Sequence, residues 1–405
     1  MERSRLALLA LAFALAMGLS GVATHAKAQD VKLGVLTDLG GPYADSSGQG
    51  AVEATRMAAE DLKAELGAHN VTVISADHQS KPDVGAAIAR RWLDTENVDA
   101  IVNVPNSAIA LAVQSVTRDH KKIFLITGGA TAELTGKQCS PYSAHWTDDT
   151  YSLSTGTTRA MMERGGADTW FLITADYAAG YGLASAAKRV IEQEGGKVLG
   201  EAKHPFGTSD QSSFLLQAQA SGAKMIALAN AGTDTIESIK QAHEFHIGPP
   251  SQTIVAMALF ITDVNSLGLE TAQGLYLTAG FYWDRNDATR AWSHRFFDRV
   301  GRMPTREQAE TYSAVHHYLR GVIATNSTDA ATVMAWMKAT PLDDFYAPGA
   351  RLREDGRLIH PIYLFQVKSP SESRYPWDYY KLISTVDPAR AFRPLADGAC
   401  PFVKP

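Results

Sequence analysis

The chain is poor in several features that would narrow its chemistry at once. Only two cysteines, Cys139 and Cys400, stand among 405 residues, which excludes a disulfide-dense scaffold or a cysteine-rich metal centre. The formal net charge is only −5, so nothing invites nucleic acid or an anionic membrane surface. The phosphate-cradling G-x-x-x-x-G-K-[ST] pattern and the G-x-S-x-G nucleophile elbow are both missing. Gly180-Tyr181-Gly182 starts like a dinucleotide fingerprint but reaches Ser185 where a third glycine is required. His243 and His246 are not spaced one helical turn apart as a zinc-binding HExxH demands. The chain is therefore expected to bind no cofactor and no metal, and to be no enzyme.

Long apolar runs are confined to the start. Arg3 and Arg5 precede the apolar stretch Leu6–Leu19, and Ala26-Lys27-Ala28 forms an A-x-A cleavage site. The stretch falls short of the roughly 20 residues a spanning helix needs. Residues 1–28 thus read as a signal peptide cleaved after Ala28, leaving an exported chain not inserted in a membrane. In an oxidising compartment, Cys139 and Cys400 are an even pair. A disulfide would tie the extreme C-terminus to the loop at Cys139; two free thiols are the alternative.

What is present is core-forming material in an α/β rhythm. Apolar runs at Val31–Thr37, Val71–Ala76, Ala100–Val104 and Ile123–Thr127 alternate with helical patterns, which argues for a parallel sheet covered on both faces. A second series has strands at Thr169–Thr174, Lys197–Gly200, Lys224–Ala229 and Thr253–Ala258. After Ala279 come a strong amphipathic helix over Glu307–Ala324, a helix over Asp329–Thr340, and strands at Ile359–Val367 and Tyr379–Ile383. The absence of a low-complexity linker points to two lobes joined by short crossings. The last residues, Asp387–Pro405, are proline-rich and read as irregular.

Ligands of open parallel sheets sit outside the carboxyl ends of the strands. Two neighbouring ends here turn small and polar: Pro105-Asn106-Ser107 after one strand, Gly128-Gly129-Ala130-Thr131 after the next. Asn106, Ser107, Gly129, Ala130 and Thr131 together offer hydroxyls, an amide and backbone N–H groups to an anionic head group, with a helix N-terminus behind them. Asn230 ends a strand of the second unit. Tyr43, Tyr177 and Phe260 stand at other strand ends, where they would wall in a flat apolar ligand. Asp148-Asp149 reads as a helix cap at a lobe crossing.

The blocks VKLGVLTDLGGPYADSSGQG, DAIVNVPNSAIALAV, IFLITGGATAELT and TADYAAGYG resemble periplasmic solute-binding proteins of ABC transporters, of the branched-chain amino acid (leucine/isoleucine/valine-binding) type. LFITDVNSLGL, TAQGLYLTAGFYWDRNDATRAWSHRFF and PWDYYKL resemble the branch that binds 4-coumarate and other aromatic acids. The resemblance implies the type I periplasmic-binding-protein fold, with two doubly wound parallel-sheet lobes and a three-segment hinge. Residues 29–146 and 280–342 would form the first lobe, 147–279 and 343–386 the second, and 387–405 a tail. It also implies a monomer that delivers its solute to an inner-membrane ABC permease.

In amino-acid binders of this type, a serine after the third strand and an Ala-x-Thr after the fourth hold the ligand carboxylate. Gly129-Ala130-Thr131 keeps the threonine, while the serine position falls on Asn106 with Ser107 next to it. The expected ligand is thus a small aromatic carboxylate of the hydroxycinnamate or benzoate kind. Asn230 would bond a ring substituent; Asp234 and Asp263 are the nearby acids for an ammonium. A branched-chain amino acid receptor, or a sensory receptor of the same fold, is the alternative.

Overall fold

The protein is described by a computed structural model covering residues 30–403, apart from residue 68; the expected signal peptide lies outside the described residues. The four apolar runs of the first unit become parallel strands β1 (Val31–Thr37), β2 (Val71–Asp77), β3 (Ala100–Asn103) and β4 (Ile123–Ile126). A short fifth strand, β5 (Ser143–His145), completes the order β2-β1-β3-β4-β5. β3 and β4 are buried throughout, as strands covered on both faces must be, and that is why they read as unbroken apolar runs.

The second unit repeats the plan with β6 (Thr169–Ala175), β7 (Lys197–His204), β8 (Met225–Ala229) and β9 (Thr253–Ala256), in the order β7-β6-β8-β9. An antiparallel sheet of β10 (Tyr276–Ala279), β13 (Ile362–Val367) and β14 (Tyr380–Val386) stands with it. The hairpin of β11 (Arg351–Leu352) and β12 (Leu358–Ile359) lies between β10 and β13 in the chain. Two doubly wound α/β lobes joined by a hinge are thus present, as the sequence leads one to expect.

In each main sheet the strand order reverses once, between β1 and β3 and between β6 and β8, and such switch points open a crevice at the carboxyl ends. β3 leaves its sheet through two residues in the left-handed region, Asn103 (φ 83°) and Val104 (φ 62°). This conformation is costly for a β-branched residue, and it lifts Pro105–Ser107 out over the sheet. Gly128 lies flat beneath this turn, where a Cβ would come within 2.6 Å of the Pro105 Cα.

The chain returns to the first lobe after β10. Helix Arg306–Thr325 is started by a capping box in which Thr305 and Gln308 satisfy each other's backbone N–H groups. It packs along helix Gly48–Asp61, and so carries Arg306 and Glu307 to the mouth of the crevice. The segment Asp343–Ile359 packs on this lobe too, whereas the sequence reading puts residues 343–386 in the second lobe. The Asp344 carboxylate accepts from the Ser313 hydroxyl at 2.6 Å. The hairpin bridges the open edge of β5 through His145 and Arg357. Pro348-Gly349 marks a turn in the sequence, but nothing local reveals which sheet edge the following hairpin will cover.

The three crossings therefore fall near Asp148, Gly280 and His360. One buried carboxylate knits them: Asp148 accepts from the Gly280 N–H at 2.7 Å and faces His360 Nε2 at 3.5 Å. Its neighbour Asp149 caps helix Thr150–Glu163, accepting from the Ser152 N–H at 2.8 Å.

Candidate functional site

The crevice between the lobes closes over a chamber of about 20 Å³, room for roughly one water. Its first-lobe wall is Tyr43, Pro105, Ser107, Gly128, Ala130, Arg306 and Glu307. The second lobe contributes Thr150, Leu153, Tyr177, Ala179, Leu183, Ala231, Ala258 and Phe260. The Tyr43 and Tyr177 hydroxyls are hydrogen-bonded across the gap, and the Phe206 ring packs on both, with centroids 5.8 and 4.8 Å away. Burial raises both phenol pKa values above the usual tyrosine range, so both remain neutral. A solute enters only when the lobes part.

Five of the nine residues singled out in the sequence line this chamber: Tyr43, Ser107, Ala130, Tyr177 and Phe260. The other four are occupied elsewhere. The Asn106 side chain caps helix Ser107–Asp119, accepting from the Ala108 and Ile109 N–H groups at 3.0 and 3.2 Å. The hydroxyl at the chamber is therefore that of Ser107, which also accepts from the Thr131 N–H at 3.1 Å.

The Gly129 carbonyl accepts from the imidazole of His145 at 2.8 Å. Thr131 faces an outer groove rather than the chamber, and its hydroxyl caps the turn Ala132–Thr135. Asn230 is fully buried and spends its amide on Thr235, Ser238 and His204; its neighbour Ala231 lines the chamber instead. In both lobes the residue lining the chamber follows the amide residue by one position, Ser107 after Asn106 and Ala231 after Asn230.

Two charged residues at the chamber escaped the sequence reading. Arg306 lays its guanidinium 3.9 Å from the centroid of the Phe260 ring, donates to the Leu259 carbonyl at 3.1 Å, and stands 3.7 Å from Asp148. Glu307 is buried, and one of its carboxylate oxygens has no hydrogen-bond partner. Desolvation pushes its carboxyl well above the usual range, against the opposing pull of Arg306. The capping box at Thr305 was the available signal, since it starts the helix at a point where its first residues point out of the lobe. The acids weighed from sequence stand outside the chamber lining: Asp263 caps the Phe260 N–H at 2.9 Å, and Asp234 accepts from the Gly207 N–H at 3.1 Å through one oxygen, leaving the other unpaired.

A polar cradle on one lobe, an aromatic lid on the other, and a hinge between them define a receptor that closes on a small solute. The comparisons agree. The family model for periplasmic binding proteins matches residues 30–373, and the chain belongs to that family. It is similar to a crystal structure of a periplasmic binding protein from Burkholderia mallei, at 45% identity over 93% of this chain and 99% of that one, with a TM-score of 0.89. It is also similar to a branched chain amino acid ABC transporter periplasmic ligand-binding protein from Burkholderia xenovorans, at 40% identity over 92% and 100%, with a TM-score of 0.83. A solute-binding protein of R. palustris in complex with 4-hydroxybenzoate shares the fold at 20% identity over 88% and 97%, with a TM-score of 0.80. No curated protein matches the chain. Membership makes this a periplasmic, non-catalytic receptor that hands a small solute to an ABC importer.

Proposed function

We propose that the solute is an α-amino acid with an apolar side chain. The observation that carries this is the unpaired oxygen of Glu307 in the chamber wall. A buried carboxyl oxygen left without a hydrogen bond is costly, and an incoming ammonium would both ionise the group and pair with that oxygen. The ligand carboxylate would lie at Ser107 and the Gly128–Ala130 turn, on the positive end of helix Ser107–Asp119. Its side chain would meet Leu153, Leu183, Tyr177 and Phe260. The 40%-identical relative described as a branched chain amino acid receptor supports this reading over the aromatic acid expected from sequence.

A small aromatic carboxylate is the second reading, and one observation favours it: Tyr43, Tyr177, Phe206 and Phe260 surround the chamber or pack on its walls. A thermal-shift panel separates the two. L-Leucine and L-valine at a hundredfold excess over Kd should stabilise the protein by about 2.7 kcal/mol, while benzoate, 4-hydroxybenzoate and 4-coumarate leave the transition in place. The reverse pattern would overturn the amino-acid reading.

A further inference from the structure

The tail after β14 does not trail into solvent. Its first helix, Pro388–Ala391, packs on helix Thr150–Glu163 of the second lobe, with Arg390 3.3 Å from Glu163. Ala391 and Phe392 then bury against Ile362 at the start of β13. At Phe392 the chain changes lobes. Its ring meets the His360 ring edge-on at 5.1 Å and lies under the Arg357 guanidinium at 4.7 Å, so it sits on the third crossing.

Beyond Phe392 the contacts belong to the first lobe. The Arg393 carbonyl accepts from Arg353 of the hairpin at 2.9 Å, and the Arg393 guanidinium donates to the Ala132 carbonyl at 2.8 Å. A Cβ on Gly136 would fall 2.8 Å from the same guanidinium and 3.1 Å from the Gly398 carbonyl, which shows how flatly the tail lies on the Ala132–Gly136 turn. Cys400 is then bonded to Cys139, with Cα atoms 5.7 Å apart.

We infer that residues Asp387–Cys400 form a fourth, covalently anchored hinge segment, and that Arg393 is a positioning residue for the turn beside the chamber. The geometry carries both halves. A segment fixed to one lobe by packing and to the other by a disulfide must bend whenever the lobes part, and its length caps how far they part. Arg393 holds Ala132, two residues beyond Ala130, from outside the chamber, where it lines the outer groove with Thr131 and Glu133. The turn is thereby held from behind in the open state, when second-lobe contacts such as the Ala132 N–H to Thr150 bond (3.3 Å) loosen.

The test uses the full exported chain without ligand, so it stands apart from the identity of the solute. Cys139→Ser with Cys400→Ser should enlarge the radius of gyration in small-angle scattering. It should also speed amide hydrogen exchange over residues 132–139 about tenfold while leaving β8 unchanged. Arg393→Gln should speed exchange over residues 130–136 alone, with Arg393→Lys restoring much of the protection. Unchanged scattering and exchange would overturn the inference, as would acceleration spread evenly through both sheets. Should the double variant fail to fold, the Arg393 pair decides.

The second arm rests on the proposed site: release of L-leucine, followed by tryptophan fluorescence, should be several-fold faster from Arg393→Gln, with the association rate little altered. Leucine that leaves both proteins at the same rate would remove Arg393 from the positioning role. If leucine binds neither, the amino-acid reading fails while the scattering and exchange results still decide the fourth segment.

Discussion

The two walls of the chamber are made differently. The first-lobe wall carries the Ser107 hydroxyl, the Gly128–Ala130 backbone and the Glu307 carboxylate; the second-lobe wall is alanine, leucine and aromatic rings, with Thr150 as its one aliphatic hydroxyl. The former can orient a polar head group by directional bonds, the latter can only cover what has been oriented. The first four strands of each main sheet share one order and the same kind of switch point, so the difference at the chamber lies in a few side chains at the strand ends. A receptor of this build grips with one lobe and completes desolvation with the other.

The contrast is broken most directly at Glu307. Glu307→Gln should weaken L-leucine binding by about a hundredfold or more, since it removes one member of a buried charge pair, and calorimetry reads the loss. An unchanged Kd would mean the first-lobe wall holds no ammonium. Ser107→Ala comes next, at roughly tenfold for one hydrogen bond to a carboxylate, whichever solute class binds. On the covering wall, Phe260→Ala should cost a few-fold in affinity, expressed in the release rate because the ring closes last. A larger loss for Phe260→Ala than for Ser107→Ala would invert the proposed division of labour.

A smaller effect concerns the hinge. Burial, with the Asp148 carboxylate beside it, pushes the Glu310 carboxyl up to about 8. The folded value lies above the unfolded one. The stability this group contributes is therefore complete at acid pH, below the ordinary carboxylate range, and is lost as pH rises through about 8. Between pH 5 and 8, wild type should lose stability relative to Glu310→Gln by at most about 1.4 kcal/mol per pH unit. Denaturant titrations at several pH values measure it, and parallel slopes would show that the Glu310 carboxyl is not raised.

Much of this molecule is legible in its sequence, for reasons that are local. The buried strands announce themselves as apolar runs, and Tyr43, Tyr177 and Phe260 follow directly from where those runs end. What is not legible depends on rotation about a single turn or on distant chain. Asn106 and Ser107 are adjacent, and either can cap a helix; only the left-handed pair Asn103-Val104 decides that Asn106 turns inward to the cap and Ser107 to the chamber. At Asn230 and Ala231 the choice is made by distant groups, because Asn230 is held inward by His204, Thr235 and Ser238. Glu307 and Arg306 read as the start of an amphipathic helix, and their place in the chamber comes from packing that helix on one more than two hundred residues earlier. Where the hairpin at Arg351–Ile359 docks is hidden from the sequence for the same reason, since its bridge to β5 is a non-local event.

The bond between the Tyr43 and Tyr177 hydroxyls bears on traffic at the membrane. It is made between protein groups alone, and so lowers the energy of the shut form without calling on a solute. Each 1.4 kcal/mol it adds multiplies the shut population relative to the open one tenfold. A permease that reads the shut outline would respond to that population as well as to loaded protein. Tyr177→Phe should accordingly reduce solute-independent ATP hydrolysis by the reconstituted importer.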